Sequence, residues 1–161
     1  MALIVVAGSC SSDDDNGPAP FVYNKENLTA TYNLVYYQSK NVNTKVVDGF
    51  DVVTTTVETG DTFNVLVSFD STNKMISNGT YRISWTKTQH GNTQEGAEII
   101  VLDSEENNYV VKEATSKLII EGRSYDVIGF SRTGFTLKMT ETNVESDGEI
   151  NDYEEELRFT R

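Results

Sequence analysis

The stretch LTATYNLVYYQ, residues 28–38, alternates two sets of side chains with a period of two. One set is Leu28, Ala30, Tyr32, Leu34 and Tyr36, and the other is Thr29, Thr31, Asn33, Val35 and Tyr37. Successive side chains of a β-strand point to opposite faces, so this period predicts a strand with one buried face. This predicted strand is the first of a series with the same period.

Short stretches with the same alternation recur along the chain between polar, turn-forming segments. They are residues 52–58, 62–70, 79–87, 108–114, 124–130, 135–141 and 153–161. Residues 97–108 fit either a short buried strand or a helical turn, and no stretch of ten residues carries a helical stripe. We therefore expect an all-β fold, an antiparallel up-and-down β-barrel of about eight strands, because closure removes exposed sheet edges. A barrel of that size is either filled by side chains or holds one small ligand.

Length and charge limit the classes of protein that fit. A chain of 161 residues is expected to form one core. Its net charge of −12 argues against nucleic acid as a partner, because a phosphate backbone attracts Lys and Arg.

The N-terminal residues are organised around the chain's only cysteine. The apolar residues 1–6 are followed by Ala7, Gly8 and Ser9, directly before Cys10. This order resembles the lipobox of bacterial lipoproteins. The resemblance implies that residues 1–9 are the remnant of a signal peptide, and that Cys10 carries fatty acyl chains such as palmitate, which anchor the protein to a membrane.

Three aspartates follow the cysteine at short distance. The run of Ser11, Ser12, Asp13, Asp14 and Asp15 resembles the surface-export signal of Bacteroidota-type lipoproteins. This resemblance implies a lipid-anchored protein of the outer membrane, exposed on the cell surface. The alternative is a solvated linker at the periplasmic face of that membrane. On either interpretation residues 10–26 are expected to be a flexible acidic tether, and residues 27–161 the barrel domain.

Residues 28–161 also resemble lipocalin-like proteins. The segment LTATYNL is similar to the first-strand motif of that family, with Ala30 in place of its glycine and Tyr32 in place of its tryptophan. Residues 67–83, 125–139 and 157–161 are similar to its later strands, in the same order. The resemblance implies that Tyr32 plugs the closed end of the barrel beneath an arginine of the last strand, Arg158 or Arg161.

The resemblance to lipocalins also implies a small apolar or amphipathic ligand in the barrel, and a monomeric protein. We expect aromatic side chains to line the interior, namely Tyr32, Tyr36, Phe63, Phe69, Tyr81, Trp85 and Phe135. The alternative is a filled barrel that serves as a structural or interaction module of the cell envelope and binds no small molecule.

Catalytic and metal-binding patterns are scarce. The single histidine, His90, lies in a polar segment that reads as a loop, and the sequence has no nucleophile elbow, phosphate loop or Cys/His metal set. We therefore expect no enzymatic activity, no catalytic residues and no cofactor. Residues 143–154 resemble a calcium-binding EF-hand loop in the spacing of their oxygen-bearing side chains, but an acidic hairpin is the favoured interpretation, without a metal.

Overall fold

A computed structural model describes residues 20–161 of the chain. A short helix, α1 (Lys25–Leu28), precedes eight strands. They are β1 (Ala30–Val47), β2 (Phe50–Phe69), β3 (Lys74–Gln89), β4 (Asn92–Lys112), β5 (Lys117–Ile120), β6 (Arg123–Ser131), β7 (Gly134–Val144) and β8 (Ile150–Thr160). A 3-10 turn, Glu113–Thr115, lies between β4 and β5.

The eight strands form a closed antiparallel barrel in which every strand pairs with its neighbour in the sequence. The barrel closes where β1 pairs with β8, from Asn33 opposite Thr160 to Thr44 opposite Ile150. Closure confirms the up-and-down β-barrel expected from the sequence. Closing the sheet satisfies backbone groups that would otherwise be exposed at its two edges.

The strands differ greatly in length, and the barrel is closed over only part of their span. β4 has 21 residues but pairs with β5 only through residues 109–112. Within residues 20–161, residues 92–108 of β4 therefore have a paired strand on the β3 side alone. This free edge carries Glu95, Glu98, Glu105 and Glu106, and charges on an edge strand oppose pairing with other chains.

The observed strands differ slightly from those that the sequence pattern predicted. Residues 52–58 and 62–69 belong to one strand, β2, because the ladder with β3 resumes after an irregularity between Asp61 and Asn64, and residue 70 lies just beyond its end. Residues 97–108 continue into β4 and contain no helical turn. The alternation did not reveal β5, whose four residues are too few to show a period.

Residues 21–26, which the sequence assigns to the tether, make defined contacts with the barrel. The ring of Phe21 stacks on Phe130 with 5.4 Å between centroids, and the Tyr23 hydroxyl donates to the Lys117 carbonyl at 3.0 Å. Asn24 caps α1 by accepting from the Asn27 N–H at 2.8 Å. The apolar surface of these two rings offsets the entropy lost on ordering residues 21–26.

An aromatic cluster fills one end of the barrel, which we call the closed end. Its rings pack edge to face or stacked, with 5.0 Å between the centroids of Tyr32 and Phe135 and 4.9 Å between those of Phe135 and Phe159. Phe69 and Tyr109 complete the cluster, and Leu28 of α1 is fully buried in the same core. Such pairs add about 0.5–1.5 kcal/mol each beyond the burial of their area.

The plug expected at this end is present. Tyr32 is fully buried, and the Arg161 guanidinium lies over its ring, 5.4 Å from the centroid. Arg158, the other candidate, lies 4.2 Å from the Tyr36 ring instead. Arg161, and not Arg158, is therefore the arginine that lies over Tyr32.

Candidate functional site

A cavity of about 350 Å³ lies inside the barrel, next to the aromatic cluster of the closed end. Its volume falls within the range of small-molecule sites. The lining residues come from every strand except β7 and from the β5–β6 turn: Leu34, Tyr37, Val65, Val67, Met75, Ser77, Tyr81, Leu102, Glu105, Asn107, Ile120, Glu121, Arg123, Tyr125, Glu155, Leu157 and Phe159.

One side of the cavity is apolar. Leu34 of β1, Val65 and Val67 of β2, and Leu157 and Phe159 of β8 supply it. These strands are neighbours in the closed barrel, in the order β8, β1, β2. We call this surface the apolar wall.

The opposite side carries polar and charged groups. Ser77 of β3, Glu105 and Asn107 of β4, Glu121 of the turn between β5 and β6, and Arg123 of β6 supply it. We call this surface the polar wall. Ser77 is only 7% exposed, and its hydroxyl makes no hydrogen bond with any residue of the described range 20–161. Because Ser77 lines the open cavity, its hydroxyl is available to a ligand or a water molecule there.

A group of charged residues and tyrosines joins the two walls. The Tyr125 hydroxyl donates to Glu155 Oε2 at 2.8 Å, and Arg123 Nη1 lies 3.6 Å from the same oxygen. The Arg123 guanidinium also lies 4.8 Å from the centroid of the Tyr153 ring. Burial raises the pKa of the Tyr125 phenol, and the adjacent Glu155 carboxylate raises it further. Tyr125 therefore stays protonated and remains a hydrogen-bond donor throughout the physiological range.

A second carboxylate is held in the same way on the β1–β2 side. Glu58 Oε2 accepts from the Tyr37 hydroxyl at 2.8 Å and from Ser39 Oγ at 3.0 Å. Burial is the main cause of a raised pKa for Tyr37. Tyr37 also packs edge to face on Tyr81, with 5.8 Å between centroids. These contacts fix both rings at the boundary of the cavity.

Tyr81 lines the cavity, and it is the one residue of the seven expected aromatic residues that does so. Tyr32, Phe69 and Phe135 point inward as expected, but they pack against one another in the closed end. Phe63 stacks on Tyr81 at 5.7 Å and supports it from behind. These rings therefore fill most of the barrel beside the cavity.

Tyr36 is a correction, because it lies on the outer face. The pairing of β1 with β8 shifts between Leu34 and Tyr36, and this bulge exchanges the faces of the residues that follow. Tyr37 and Ser39 become the buried positions, while Tyr36 donates to Gln38 Oε1 at 2.8 Å and packs against Arg158.

Trp85 is a second correction, because it does not line the cavity. It lies in the long β3–β4 hairpin, opposite Glu58 of β2 and Gly96 of β4. Its indole ring lies directly over Gly96, where an added Cβ would be only 2.4 Å from a ring carbon. Trp85 fluorescence is therefore an indirect reporter of events inside the barrel.

The two candidate loop segments fold as the sequence indicated. His90 occupies the turn between β3 and β4 with a φ of 50°, and Gly91 follows it with a φ of 77°. Residues 143–154 form a β-hairpin between β7 and β8, with Asn143 paired to Asn151. At its tip, Lys45 Nζ lies 3.3 Å from Glu149 and 3.7 Å from Asp147. Calcium binding by this hairpin stays a hypothesis.

A larger groove of about 500 Å³ lies elsewhere on the sheet, along β6, β7, β8, β1 and β2. Several of its charged residues already pair with one another, as Lys138 and Glu156 do at 2.9 Å. Hydrogen bonds from Lys138 and Arg158 hold the pKa of Glu156 below its ordinary value. The groove thus has charged groups that are already paired, and we take the interior cavity as the candidate site.

Residues 20–161 offer neither a metal-binding cluster nor a membrane-spanning helix. This range contains no cluster of three or more His, Cys, Asp or Glu side chains placed to hold a metal ion. None of the helices in it is long and apolar enough to cross a membrane. The lipidation and export residues, Cys10, Ser11, Ser12 and Asp13 to Asp15, lie outside the described residues.

The fold and the cavity define this protein as an eight-stranded up-and-down barrel with a partly hollow interior. No family model, curated protein or solved structure matches the chain. Its function must therefore be argued from its own residues.

Proposed function

We propose that this protein binds one small amphipathic molecule inside its barrel. The cavity of about 350 Å³ between an apolar and a polar wall carries the proposal. The apolar wall favours burial of a hydrocarbon or aromatic body at about 25 cal/mol per Å² removed from water. The polar wall offers partners for a single polar group of the ligand.

The rigidity of the surroundings supports the same proposal. Phe159 belongs both to the cavity lining and to the stacked cluster of the closed end. Tyr37 and Tyr125 are fixed by hydrogen bonds to Glu58 and Glu155. Because these side chains are already fixed, a ligand that binds in the cavity orders few further groups. Little conformational entropy is therefore lost on binding, which is the main advantage of a preformed site.

Filling the cavity with a side chain tests the proposal. Leu102 lines the cavity, whereas its neighbour Val101 points outward and is 65% exposed. We expect the neutral probe 4-phenylbutanol to bind the wild type in calorimetry, Leu102→Trp to weaken binding at least tenfold, and Val101→Trp to leave it unchanged. Equal binding by all three proteins would contradict the proposal, provided that circular dichroism shows each variant folded.

A second candidate is the filled-barrel interaction module, favoured by apolar residues at two hairpin turns. Val46, Val47 and Phe50 are exposed at the β1–β2 turn, as are Val144 and Ile150 at the β7–β8 turn. The β1–β8 ladder brings the two turns to one end of the molecule, since Thr44 lies opposite Ile150. This candidate predicts that 4-phenylbutanol binds neither the wild type nor the variants.

We further propose, from the sequence alone, that acylated Cys10 anchors the protein to the outer membrane and that Asp13 to Asp15 direct it to the cell surface. Growth with a labelled fatty acid should label the protein, and Cys10→Ser should release it to the soluble fraction. Equal membrane retention of this variant would contradict the anchor. Replacing the three aspartates by alanine should leave the protein anchored but shielded from protease added outside the cell; unchanged cleavage would favour the linker interpretation.

A further inference from the structure

The polar wall has an unused hydrogen-bonding group at a defined place. Ser77 is 7% exposed and lines the cavity, yet its hydroxyl has no partner within residues 20–161. The ladder between β3 and β4 is irregular just after it, between Ser77 and Gly79. The hydroxyl borders the open cavity, so it can donate to or accept from a molecule that binds there.

A carboxylate without a partner lies beside this hydroxyl. Glu105 is directly opposite Ser77 in the β3–β4 ladder, so both side chains project from the same face and both line the cavity. Glu105 forms no hydrogen bond or ion pair with residues 20–161. The next residue, Glu106, does not line the cavity and pairs with Lys74 at 2.7 Å. A cation of the protein, Lys74, thus neutralises Glu106 but not Glu105.

The charges that line the cavity are unbalanced. Glu105, Glu121 and Glu155 face a single cation, Arg123, which lies 3.6 Å from Glu155. Glu121 accepts from the Asn108 side-chain amide at 3.1 Å, and an amide does not neutralise its charge. Burial raises the pKa of Tyr81 to about 12, and the fields of Glu155, Glu58 and Glu105 contribute. The cavity therefore favours a positive group over a negative one.

We propose that the ligand carries a protonated amine, which binds Glu105 and Ser77 while its apolar body contacts the apolar wall. This inference rests on the proposed function and specifies the chemistry of its ligand. An ammonium group has three donors and no acceptor, so it can donate to the Glu105 carboxylate and to the Ser77 hydroxyl oxygen together. A cavity of about 350 Å³ accommodates a body of roughly a dozen non-hydrogen atoms, at ~30 Å³ each.

Three probes with one apolar body and different polar groups test the inference on the full chain. They are 4-phenylbutylamine, 4-phenylbutanol and 4-phenylbutyrate, which at pH 7 are cationic, neutral and anionic. We expect calorimetry to give a dissociation constant for the amine about tenfold below that of the alcohol, and the weakest binding for the acid.

Substitutions in the polar wall test which side chains cause the preference for the amine. Glu105→Gln should bring the dissociation constant of the amine close to that of the alcohol measured on the same variant. Ser77→Ala should weaken amine binding several-fold. Glu106→Gln makes the same change of charge one residue away without altering the cavity lining, and it should preserve the preference for the amine.

The possible results separate this inference from the proposed function. Equal binding of the three probes, tightest binding of the acid, or an unchanged amine preference in Glu105→Gln would overturn the amine and leave the cavity as a binding site. Failure of all three probes to bind at millimolar concentration would overturn the proposed function as well.

Discussion

The closed end and the cavity end of the barrel are built from the same eight strands but are filled in different ways. At the closed end, five aromatic rings pack against one another beneath α1, and Tyr32 is fully buried. At the cavity end, tyrosines share the interior with glutamates, a serine and an arginine, and about 350 Å³ is left open. The comparison indicates that stability is concentrated in one half of the barrel and binding capacity in the other.

The largest expected effect is at the closed end. Phe135 contacts Tyr32, Phe69, Phe130 and Phe159 in the cluster, so Phe135→Ala should lower the free energy of unfolding by about 3–5 kcal/mol. Urea denaturation measures it. At the cavity end, Leu102→Ala should cost less, because its side chain already borders open space. Equal losses of unfolding free energy for the two variants would mean that stability is not concentrated at the closed end.

Alkaline pH tests the buried tyrosines that border the cavity. Burial raises the pKa of Tyr37 and Tyr125, and it raises that of Tyr81 to about 12, while an unfolded tyrosine titrates near 10. The folded state therefore holds these protons more tightly, so stability is fully present below about pH 10 and falls as the pH rises through the folded pKa values. Denaturation midpoints should drop above pH 10, and less steeply in Tyr37→Phe. A flat profile up to pH 11.5 would contradict the burial of these phenols.

The arginine over the plug should have a smaller effect. Arg161 lies 5.4 Å from the centroid of buried Tyr32, whereas Arg158 lies over Tyr36 on the outer face. Arg161→Gln should cost about 1 kcal/mol, in line with cation–π contacts of partly exposed residues. Arg158→Gln is the matched control, with an expected loss below that of Arg161→Gln in the same urea experiment. A larger loss for Arg158→Gln would place the stabilising contact on the outer face.

The smallest effect on stability is expected on the polar wall. The Ser77 hydroxyl has no hydrogen bond within residues 20–161, so Ser77→Ala should change the free energy of unfolding by no more than about 0.5 kcal/mol. Ser39→Ala should cost more, because it removes a hydrogen bond to Glu58. If Ser77→Ala destabilised the protein as much as Ser39→Ala, the hydroxyl would be part of the fold and not a free group for a ligand.

Several features were accessible from the amino-acid sequence by itself. The alternation that begins at residue 28 identified strands, and closure into a barrel followed because an up-and-down sheet leaves edges that need pairing. The same alternation placed Tyr32, Phe69 and Phe135 inside. These results depend on local geometry, which a period of two reports directly.

Only the tertiary structure decided which inward residues meet a neighbour and which meet open space. A bulge after Leu34 turned Tyr36 outward and Tyr37 inward, and the length of β3 and β4 placed Trp85 away from the cavity. The polar wall combines Ser77, Glu105 and Arg123, which are distant in sequence and belong to no motif. A sequence period specifies the face of a strand, but the space across a barrel depends on register, bulges and the packing of all eight strands together.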